Sequence, residues 1–520
     1  MSLPAFKNEA LTDFSRPENR AAMEAALAKV KSELGRDHPL RIGSEKITTP
    51  DKLKSLNPSR PSEVVGTFSK ADVALAEKAM QTASAAFETW SRTPAADRVA
   101  MTARAAAIMR ERKHELSAWI CHEVGKTWPE ADADTAEAID FAEYYARHAE
   151  ALFGGDAHAR VAPIAGEKNE MRYIPLGVGV VIPPWNFPLA IATGMTLASL
   201  VTGNTVVLKP SSDSPMLAYR MYEILEAAGF PAGVLNFVPG SGSAIGDFLV
   251  THPKTRFVAF TGSKEVGLRI NELAAKPVKG CIWIKRVVAE MGGKDAMVID
   301  KVADLDRAVE AVTVAAFGYQ GQKCSACSRA IVVESVYDEF LSKLKARVEK
   351  IKVGASDDPS NYMGPVINKG SFDSITGYIE AGKKEGTVLT GGGRAAADGY
   401  FLQPTVIAGV PATGKLAQEE IFGPVLSVIK AKDFDQALEF ANNTEFGLTG
   451  GVFSDDPARL KKASESFHVG NLYLNRKCTG AFVGVHPFGG FNMSGTDSKA
   501  GGPDYLLLFT QAKTISEKIA

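Results

Sequence analysis

The chain has 520 residues, of which 45% are hydrophobic and 23% charged, and its formal net charge at pH 7 is −1. A chain of this length favours two or more domains, each with its own core. The even charge balance excludes the basic face of a nucleic-acid-binding protein, and the hydrophobic content excludes a largely disordered chain.

The N-terminus and the cysteines both favour a reducing compartment. The first twenty residues carry charges at Lys7, Glu9 and Asp13 and lack the apolar core of a secretory signal. The five cysteines are odd in number and scattered, unlike a disulfide framework; they stand at positions 121, 281, 324, 327 and 478. We expect a cytoplasmic protein.

The first third of the chain predicts helices. Ser15–Glu18 (SRPE) has the pattern of a capping box and predicts a helix that ends near Gly35. Residues 70–152 carry apolar side chains at helical spacing. From Ile174 to Leu208 no residue is charged, but four prolines interrupt the first half of this stretch. It therefore predicts buried core and no contact with a membrane.

After Gly154, short apolar runs alternate with helical segments. Runs such as GVGVVIPP, NTVVLKP and FVAFTG are followed by helical stretches, and the pattern resumes with AMVID and AIVVES. Strand, turn, helix and strand in this order predict an α/β fold with parallel sheets. The break at Glu290–Asp295 is the predicted boundary between two α/β domains.

Three segments are candidates for nucleotide binding. Pro239–Gly246 (PGSGSAIG) imitates a dinucleotide loop, but its spacing differs from GxGxxG, so a turn and helix cap is the alternative. Gly262 and Gly267 bracket a strand-to-helix turn that would present N–H groups to a pyrophosphate. Lys209 closes a strand where parallel sheets bind ligands; a solvated lysine is the alternative.

Cys324 and Cys327 are spaced as CxxC. A zinc site needs about four ligands, and the sequence offers no second group at suitable spacing. A thioredoxin-like pair normally lies near the start of a small βαβ domain. We therefore predict one reactive thiol, with Cys327 packing as a small apolar residue; Lys323 would assist the thiol electrostatically. A redox sensor that uses both cysteines remains an alternative.

Two further side chains are candidates for catalysis. Glu290 lies in an apolar run beside two glycines, so it is either a buried general base with a raised pKa or an ion-paired structural residue. Asn186 lies in the rigid turn PPWNFP and could donate to a developing oxyanion. An ordinary turn asparagine is the alternative.

Seven motifs in order carry a family resemblance. They are PWNFP, LKP, FTGSKEVG, EMGGKD, GQKCSA, EEIFGPV and PFGGFNMSG. Together they resemble the NAD(P)-dependent aldehyde dehydrogenase superfamily over about residues 60 to 515. The resemblance implies a Rossmann-like NAD-binding domain with an N-terminal helical region (1–153 and 175–290), an α/β catalytic domain (291–485) and a small β oligomerisation flap (154–174 and 486–520).

The resemblance also implies roles for individual residues. Cys324 would be the nucleophile and Glu290 the general base, and Asn186 would form the oxyanion hole with the Cys324 N–H. The implied cofactor contacts are Pro184, Trp185, Lys209, Ser212, Gly262, Ser263, Gly267, Glu420 and Phe422. Ser212 stands where many strictly NAD-using members carry glutamate, so the cofactor is NAD with NADP also possible. No metal is expected.

The tail from Arg476 to Phe509 resembles a narrower group, the glutamate-γ-semialdehyde (1-pyrroline-5-carboxylate) dehydrogenases. TGA at Thr479–Ala481 and SGTDSKAGGPDYL at Ser494–Leu506 carry this resemblance. It implies oxidation of L-glutamate γ-semialdehyde to L-glutamate through a cysteine thioester, in proline catabolism. The implied substrate contacts are Glu137, Phe187, Ser325, Gly480, Ala481 and Phe488. The chain departs from the usual pattern at Cys478, Phe482 and His486.

The implied partners are the small-molecule substrate, at least one further copy of the chain, and a transiently bound proline dehydrogenase. Two alternatives remain open. One is a different semialdehyde dehydrogenase, for example one acting on succinate semialdehyde. The other is a non-catalytic protein on the same fold.

Overall fold

A computed structural model describes residues 3–519 of the chain. The helices are α1 (Pro17–Glu33), α2 (Val73–Trp90), α3 (Ala95–Glu111), α4 (Lys113–Val124), α5 (Trp128–Gly154), α6 (Ala190–Val201), α7 (Pro215–Ala227), α8 (Asp247–Thr251), α9 (Lys264–Ala275), α10 (Leu305–Phe317), α11 (Tyr337–Val348), α12 (Lys369–Glu385), α13 (Lys415–Gln418), α14 (Phe434–Asn442) and α15 (Pro457–Ser466).

The strands are β1 (Asp37–His38), β2 (Leu40–Ile42), β3 (Glu45–Ile47), β4 (Lys52–Asn57), β5 (Arg60–Ser69), β6 (Glu167–Pro175), β7 (Val178–Ile182), β8 (Thr205–Leu208), β9 (Leu235–Phe237), β10 (Thr255–Thr261), β11 (Arg286–Glu290), β12 (Ala296–Ile299), β13 (Arg329–Val333), β14 (Thr387–Thr390), β15 (Thr405–Ala408), β16 (Val425–Ala431), β17 (Phe446–Gly447), β18 (Thr449–Phe453), β19 (Asn471–Leu474), β20 (Phe491–Asn492) and β21 (Thr510–Lys518).

The first large sheet has seven strands in the order β11-β10-β7-β8-β9-β2-β3. The five strands β7 to β11 run parallel, and helices α6 to α9 connect them, as parallel pairing requires. β2 and β3 extend the sheet in antiparallel pairs. Strand order reverses between β7 and β10, and doubly wound sheets bind ligands at such a point.

The second large sheet has the order β14-β15-β16-β13-β12-β18-β19. Six of its strands are parallel, and β14 is antiparallel to β15. β11 ends at Glu290 in the first sheet and β12 begins at Ala296 in the second, so the chain passes between the sheets at residues 291–295. The predicted α/β fold with parallel sheets is confirmed.

Each large sheet is covered on both faces. Val178, Val180 and Ile182 of β7 pack with α2, α8 and α9, whereas Val181 points into the core formed with helices α3 to α7. The second sheet alternates in the same way between α12–α15 and the pair α10 and α11. Because these strands are buried on both faces, nearly all of their side chains are apolar, which explains the continuous apolar runs in the sequence.

The predicted first helix forms, but its predicted capping box is wrong. α1 begins at Pro17, and the residue before it makes no side-chain cap hydrogen bond. The Ser15 hydroxyl instead donates to Asp13 Oδ1 at 2.6 Å. Proline at the first helical position lacks one of the N–H groups that a cap would satisfy, so the helix starts without the box.

β6 and β21 form a separate two-stranded ribbon. Their antiparallel register runs from Thr510 opposite Pro175 to Lys518 opposite Glu167, and β21 is exposed over most of its length. No helix in the described chain is long and apolar enough to cross a membrane.

Candidate active site

The predicted site residues gather where the two large sheets face each other. Four of them end or closely follow parallel strands of the first sheet: Asn186 after β7, Lys209 after β8, Gly262 after β10 and Glu290 at the end of β11. In the second sheet, Cys324 and Glu420 precede the amino ends of β13 and β16. Carboxyl ends of one sheet therefore meet amino ends of the other.

Cys324 lies in a loop between α10 and β13 whose backbone is unusual. Tyr319 and Gln320 have left-handed φ values of 50° and 56°, a conformation that non-glycine residues rarely adopt. Gln320 Nε2 donates to the carbonyls of Gly125 at 3.0 Å and Pro365 at 2.7 Å. These bonds offset the strain, so the half-buried Cys324 stands on a fixed loop.

Asn186 is joined directly to this loop. The turn between β7 and α6 buries Asn186, and its Nδ2 donates to the carbonyl of Gln322 at 3.1 Å. The side-chain amide of Gln322 accepts from the Ile367 N–H at 2.9 Å. Gln322 precedes the cysteine by two residues, so the structure brings the predicted oxyanion donor and the predicted nucleophile together.

Glu290 is packed against glycines of the C-terminal segment. A side chain at Gly489 would meet Glu290 Oε2 at 3.2 Å, and one at Gly495 would meet it at 3.3 Å. Burial raises the pKa of Glu290 well above its ordinary range, although the Lys499 ammonium opposes this. Glu290 Oε1 has no hydrogen-bond partner in the described chain. A carboxyl group with a raised pKa suits proton abstraction.

The thiol of Cys324 lies in acidic surroundings. Burial raises the pKa of Cys324 well above its ordinary range. Three carboxylates raise it further: Glu290, Asp295 and Glu420. The prediction that Lys323 assists the thiol is wrong, because Lys323 Nζ pairs with Glu130 Oε1 at 2.9 Å. Burial and these three carboxylates all disfavour the thiolate form of Cys324.

Cys327 packs as predicted. It is 1% exposed within the apolar core of the second sheet, and all five cysteines are free thiols. Its N–H donates to the Ala315 carbonyl at 3.1 Å.

Lys209 is buried, so its interpretation as a solvated lysine is wrong. Its Nζ donates to the carbonyls of Pro210 at 3.0 Å and Gly240 at 3.3 Å. Burial lowers the pKa of Lys209 to about 8. Two carbonyls hold this ammonium at the carboxyl edge of the first sheet.

The turn from β10 to α9 needs both of its glycines. A side chain at Gly262 would lie 2.5 Å from the Phe260 ring, and one at Gly267 would lie 2.4 Å from Met291 Sδ. Ser263 is the exposed N-cap of this 12-residue helix. An exposed helix start with free N–H groups is a natural anion site.

The glycine-rich stretch Pro239–Gly246 forms a turn and a helix cap. Ser241 Oγ accepts from the Ala244 N–H at 3.2 Å, and the turn runs into α8. The interpretation of this stretch as a turn and helix cap is confirmed.

Glu420 and Phe422 lie in the loop before β16. Glu420 Oε1 accepts from the Gly293 N–H at 3.0 Å, and burial raises the pKa of Glu420 to about 7. Phe422 has a left-handed φ of 55°, and its ring centre is 5.4 Å from that of Trp185, edge to face. Two further predicted contacts, Pro184 and Ser212, are partly exposed.

The turn that carries Gly480 and Ala481 is held from both sides. Gly480 has φ of 77°, and Arg476 donates to the carbonyls of Thr479 at 3.0 Å and Gly480 at 3.1 Å. His486 Nδ1 accepts from the Phe482 N–H at 3.1 Å. Sequence reasoning assigned no role to Arg476; His486 was recognised only as a departure from the family pattern.

The other predicted substrate residues lie on separate elements. Burial raises the pKa of Glu137, on α5, to about 8. Phe187 follows Asn186 in its turn, and Ser325 is buried beside Cys324. Phe488 exchanges two backbone hydrogen bonds with Ala500, at 2.9 and 2.8 Å.

Sequence reasoning missed a buried ion pair next to this site. Lys126 Nζ lies 2.9 Å from Asp134 Oδ2, and both side chains are fully buried. Charged residues in helical segments usually face solvent, so nothing in the sequence distinguished these two.

Comparison with known proteins shows the family to which the chain belongs. A model of the aldehyde dehydrogenase family matches residues 46–515. A 1-pyrroline-5-carboxylate dehydrogenase of Geobacillus kaustophilus is 59% identical over 512 residues, covering 98% of this chain and 99% of the relative. A crystal structure of 1-pyrroline-5-carboxylate dehydrogenase from Thermus with bound NAD is 50% identical, with a TM-score of 0.97 and full coverage of both chains.

Proline utilization A from Bdellovibrio bacteriovorus is 45% identical with a TM-score of 0.97; the match covers 99% of this chain and 53% of that chain. The family model covers most of the chain, and the relatives match it over nearly its full length. The chain belongs to the aldehyde dehydrogenase family.

Proposed function

We propose that this protein oxidises L-glutamate γ-semialdehyde, the open form of 1-pyrroline-5-carboxylate, to L-glutamate in proline catabolism, with NAD⁺ as the oxidant. The observation that carries the proposal is the junction of Cys324 with Asn186 and Glu290. The segment of Gly480 and Ala481 reaches this junction through Cys478, whose thiol donates to the Ser325 carbonyl at 3.6 Å. Full-length relatives named 1-pyrroline-5-carboxylate dehydrogenase support the choice of substrate.

Three residues of the chain carry the chemistry. The Cys324 thiol first gives up its proton to water. Its sulfur then forms a bond to the aldehyde carbon, and the resulting oxyanion accepts hydrogen bonds from Asn186 Nδ2 and the Cys324 N–H. Bound NAD⁺ supplies the hydride acceptor, which leaves a thioester on Cys324. Glu290 takes a proton from water, the water oxygen bonds to the thioester carbon, and the carbon–sulfur bond breaks to release the acid.

The residues present fit a nicotinamide dinucleotide. The exposed start of α9 with its glycine turn suits a pyrophosphate, and the fixed Lys209 ammonium suits ribose hydroxyls. The carboxylates that surround the Cys324 thiol would attract the cationic nicotinamide ring. Ser212 brings no negative charge against a 2′-phosphate, so we infer that NADP⁺ is also accepted.

The substrate carboxylate would bind the turn at Gly480 and Ala481. Small residues let backbone N–H groups approach an anion closely, and Arg476 and His486 hold this turn in place. Glu137 would face the substrate amino group, and Phe187 and Phe488 would flank its aliphatic chain. Succinate semialdehyde has no amino group. A dehydrogenase for that substrate would therefore not need the carboxyl group of Glu137 at this place.

Steady-state reduction of NAD⁺ with 1-pyrroline-5-carboxylate, compared with succinate semialdehyde and simple aldehydes, tests the proposal. We expect the highest kcat/KM with 1-pyrroline-5-carboxylate and no turnover in Cys324→Ala. Equal kcat/KM with succinate semialdehyde would replace the substrate but keep the chemistry. Full activity in Cys324→Ala would overturn the mechanism.

We further propose a cytoplasmic enzyme that assembles at least as a homodimer through the ribbon of β6 and β21. The exposure of β21 supports this, since an isolated two-stranded ribbon is marginally stable. Oxidation of proline yields 1-pyrroline-5-carboxylate, so we also propose transient contact with a proline dehydrogenase. The match to one half of a proline utilization protein supports such a link.

A further inference from the structure

Lys126 lies in the short segment that joins α4 to α5, between the turn of Asn186 and the loop of Cys324. Its ion pair with Asp134 of α5 is fully buried. Lys126 and Asp134 are each 0% exposed. A buried ion pair generally stabilises a fold no better than apolar side chains of the same volume. Stability alone therefore does not explain this pair. Its place between the turn of Asn186 and the loop of Cys324 favours a role in positioning them.

Asp134 reaches the turn of Asn186 through the backbone. Its Oδ1 accepts from the N–H of Ala190 at 2.8 Å, and Ala190 is the first residue of α6. The residue before α6 provides no side-chain cap. The Asp134 carboxylate of α5 therefore caps this helix. Because Asn186 lies four residues before Ala190, this bond fixes the end of its turn.

Lys126 contacts both the turn and the loop. Its Nζ lies 3.7 Å from the ring centre of Phe187, the neighbour of the oxyanion amide, and 4.6 Å from that of Tyr319. The adjacent carbonyl of Gly125 accepts from Gln320 Nε2 at 3.0 Å. Tyr319 and Gln320 are the two left-handed residues that set the course of the nucleophile loop.

We propose that the Lys126–Asp134 pair is a positioning device that holds the turn of Asn186 against the loop of Cys324 and so assembles the oxyanion hole. Neither side chain needs to touch the substrate. The ammonium is attracted to the faces of two rings, and the carboxylate accepts a charge-assisted backbone hydrogen bond, so both groups act as ions. The inference rests on the proposed roles of Cys324 and Asn186.

Hydrolysis of 4-nitrophenyl acetate without NAD⁺ isolates the relevant step. The Cys324 thiolate forms a bond to the acetyl carbon, the carbon–oxygen bond to the aryl group breaks, and 4-nitrophenolate leaves. Water then hydrolyses the acetyl thioester. This reaction uses the nucleophile and the oxyanion donors, but neither hydride transfer nor the substrate turn at Gly480.

The variants are Lys126→Met, Asp134→Asn and the double variant. Methionine keeps the length of the lysine stem, and the double variant leaves no uncompensated charge. We expect the double variant to unfold at close to the wild-type temperature yet acylate about 100-fold more slowly, the size of a lost oxyanion donor. The matched control is Lys113→Met with Asp132→Asn, a pair at 3.1 Å between α4 and α5 that should acylate normally.

Wild-type acylation in the folded double variant would overturn the positioning role, even if a single variant fails to fold. The rate at which iodoacetamide alkylates Cys324 should stay unchanged; an equal loss there would place the defect in the thiol and overturn assembly of the oxyanion hole. Cys324→Ala separates the two proposals. If it still releases nitrophenolate, the proposed nucleophile is wrong; if it is silent while the double variant is active, only the positioning role is wrong.

Discussion

At the scale of single residues, the carboxyl group of Glu290 is the most informative. Its surroundings disfavour ionisation, because burial outweighs the attraction of Lys499. The basic form therefore appears only as pH rises above the ordinary range of a glutamate. Deacylation should lose rate on the acid side at a pH higher than an exposed carboxyl group would give.

Glu290→Gln should stall the enzyme after hydride transfer. The amide cannot take a proton from water, so kcat should fall by about 100-fold or more, while the first turnover still reduces one NAD⁺ per active site. Stopped-flow absorbance with 1-pyrroline-5-carboxylate measures both phases. Cys324→Ala serves as the control without a burst. If Glu290→Gln kept the wild-type kcat and the same loss of rate at acid pH, the general base would be another group.

The sequence predicted which residue types meet at the site, but not how they are held. Cys324, Asn186 and Glu290 follow from motifs in a fixed order. Lys323 adjoins the nucleophile in sequence, yet its side chain turns to Glu130, because neighbours along a loop need not share a direction. The ion pair of Lys126 and Asp134 depends on helix packing, which spacing alone does not reveal.

At the scale of elements, the apolar runs and helical stretches after residue 70 appear as predicted. The strands between residues 37 and 69 were not predicted, because their side chains alternate between exposed and buried too irregularly to give a clear period. α1 starts at a proline instead of a capping box. The boundary at residues 291–295 coincides with the passage between sheets, and its role as a domain boundary stays a prediction.

The start of α7 depends on a carboxyl group from another helix. Glu123, at the end of α4, accepts from the N–H groups of Met216 at 2.7 Å and Leu217 at 3.0 Å, and from Ser55 Oγ at 2.9 Å. Glu123→Ala leaves these buried donors unpaired. We expect a loss of about 2–4 kcal/mol in the free energy of unfolding, measured by urea denaturation.

The pH dependence gives this prediction a sign. Burial raises the pKa of Glu123 from 4.5 to about 8. A group whose pKa is higher in the folded state contributes its full stability below the unfolded pKa and loses it as pH rises through about 8. The penalty of Glu123→Ala should therefore shrink at alkaline pH. The exposed Glu111→Ala is the control; a penalty that grows with pH would contradict the raised pKa.

At the scale of the whole molecule, the ribbon of β6 and β21 has only two strands, and most of β21 is exposed in the described chain. Ile515 lies in the exposed part of β21, and 36% of it is accessible. A two-stranded ribbon gains little stability alone, and apolar groups in an exposed strand favour association. We therefore expect the described chain to associate with further copies of itself through this ribbon.

Ile515→Asp should weaken that association. Burying a carboxylate in an apolar contact is unfavourable, so sedimentation velocity should show a shift from dimer or larger species towards monomer. Glu517→Gln, on the same strand, should leave the distribution unchanged. A wild-type protein that sediments as a monomer would remove the proposed role of the ribbon.

The turn at Gly480 and Ala481 is supported by Arg476 and His486. Cys478, two residues before Gly480, joins this segment to the loop of Cys324 by donating to the Ser325 carbonyl at 3.6 Å. Under the proposed function, substitutions at the turn itself should alter which aldehyde is bound, while an unchanged Cys478 keeps its contact with the loop of Cys324. In evolutionary terms, we expect the choice of substrate to change through substitutions in this turn while the reaction itself stays the same. We therefore expect protein engineers to be able to change selectivity within a short segment, residues 479–488.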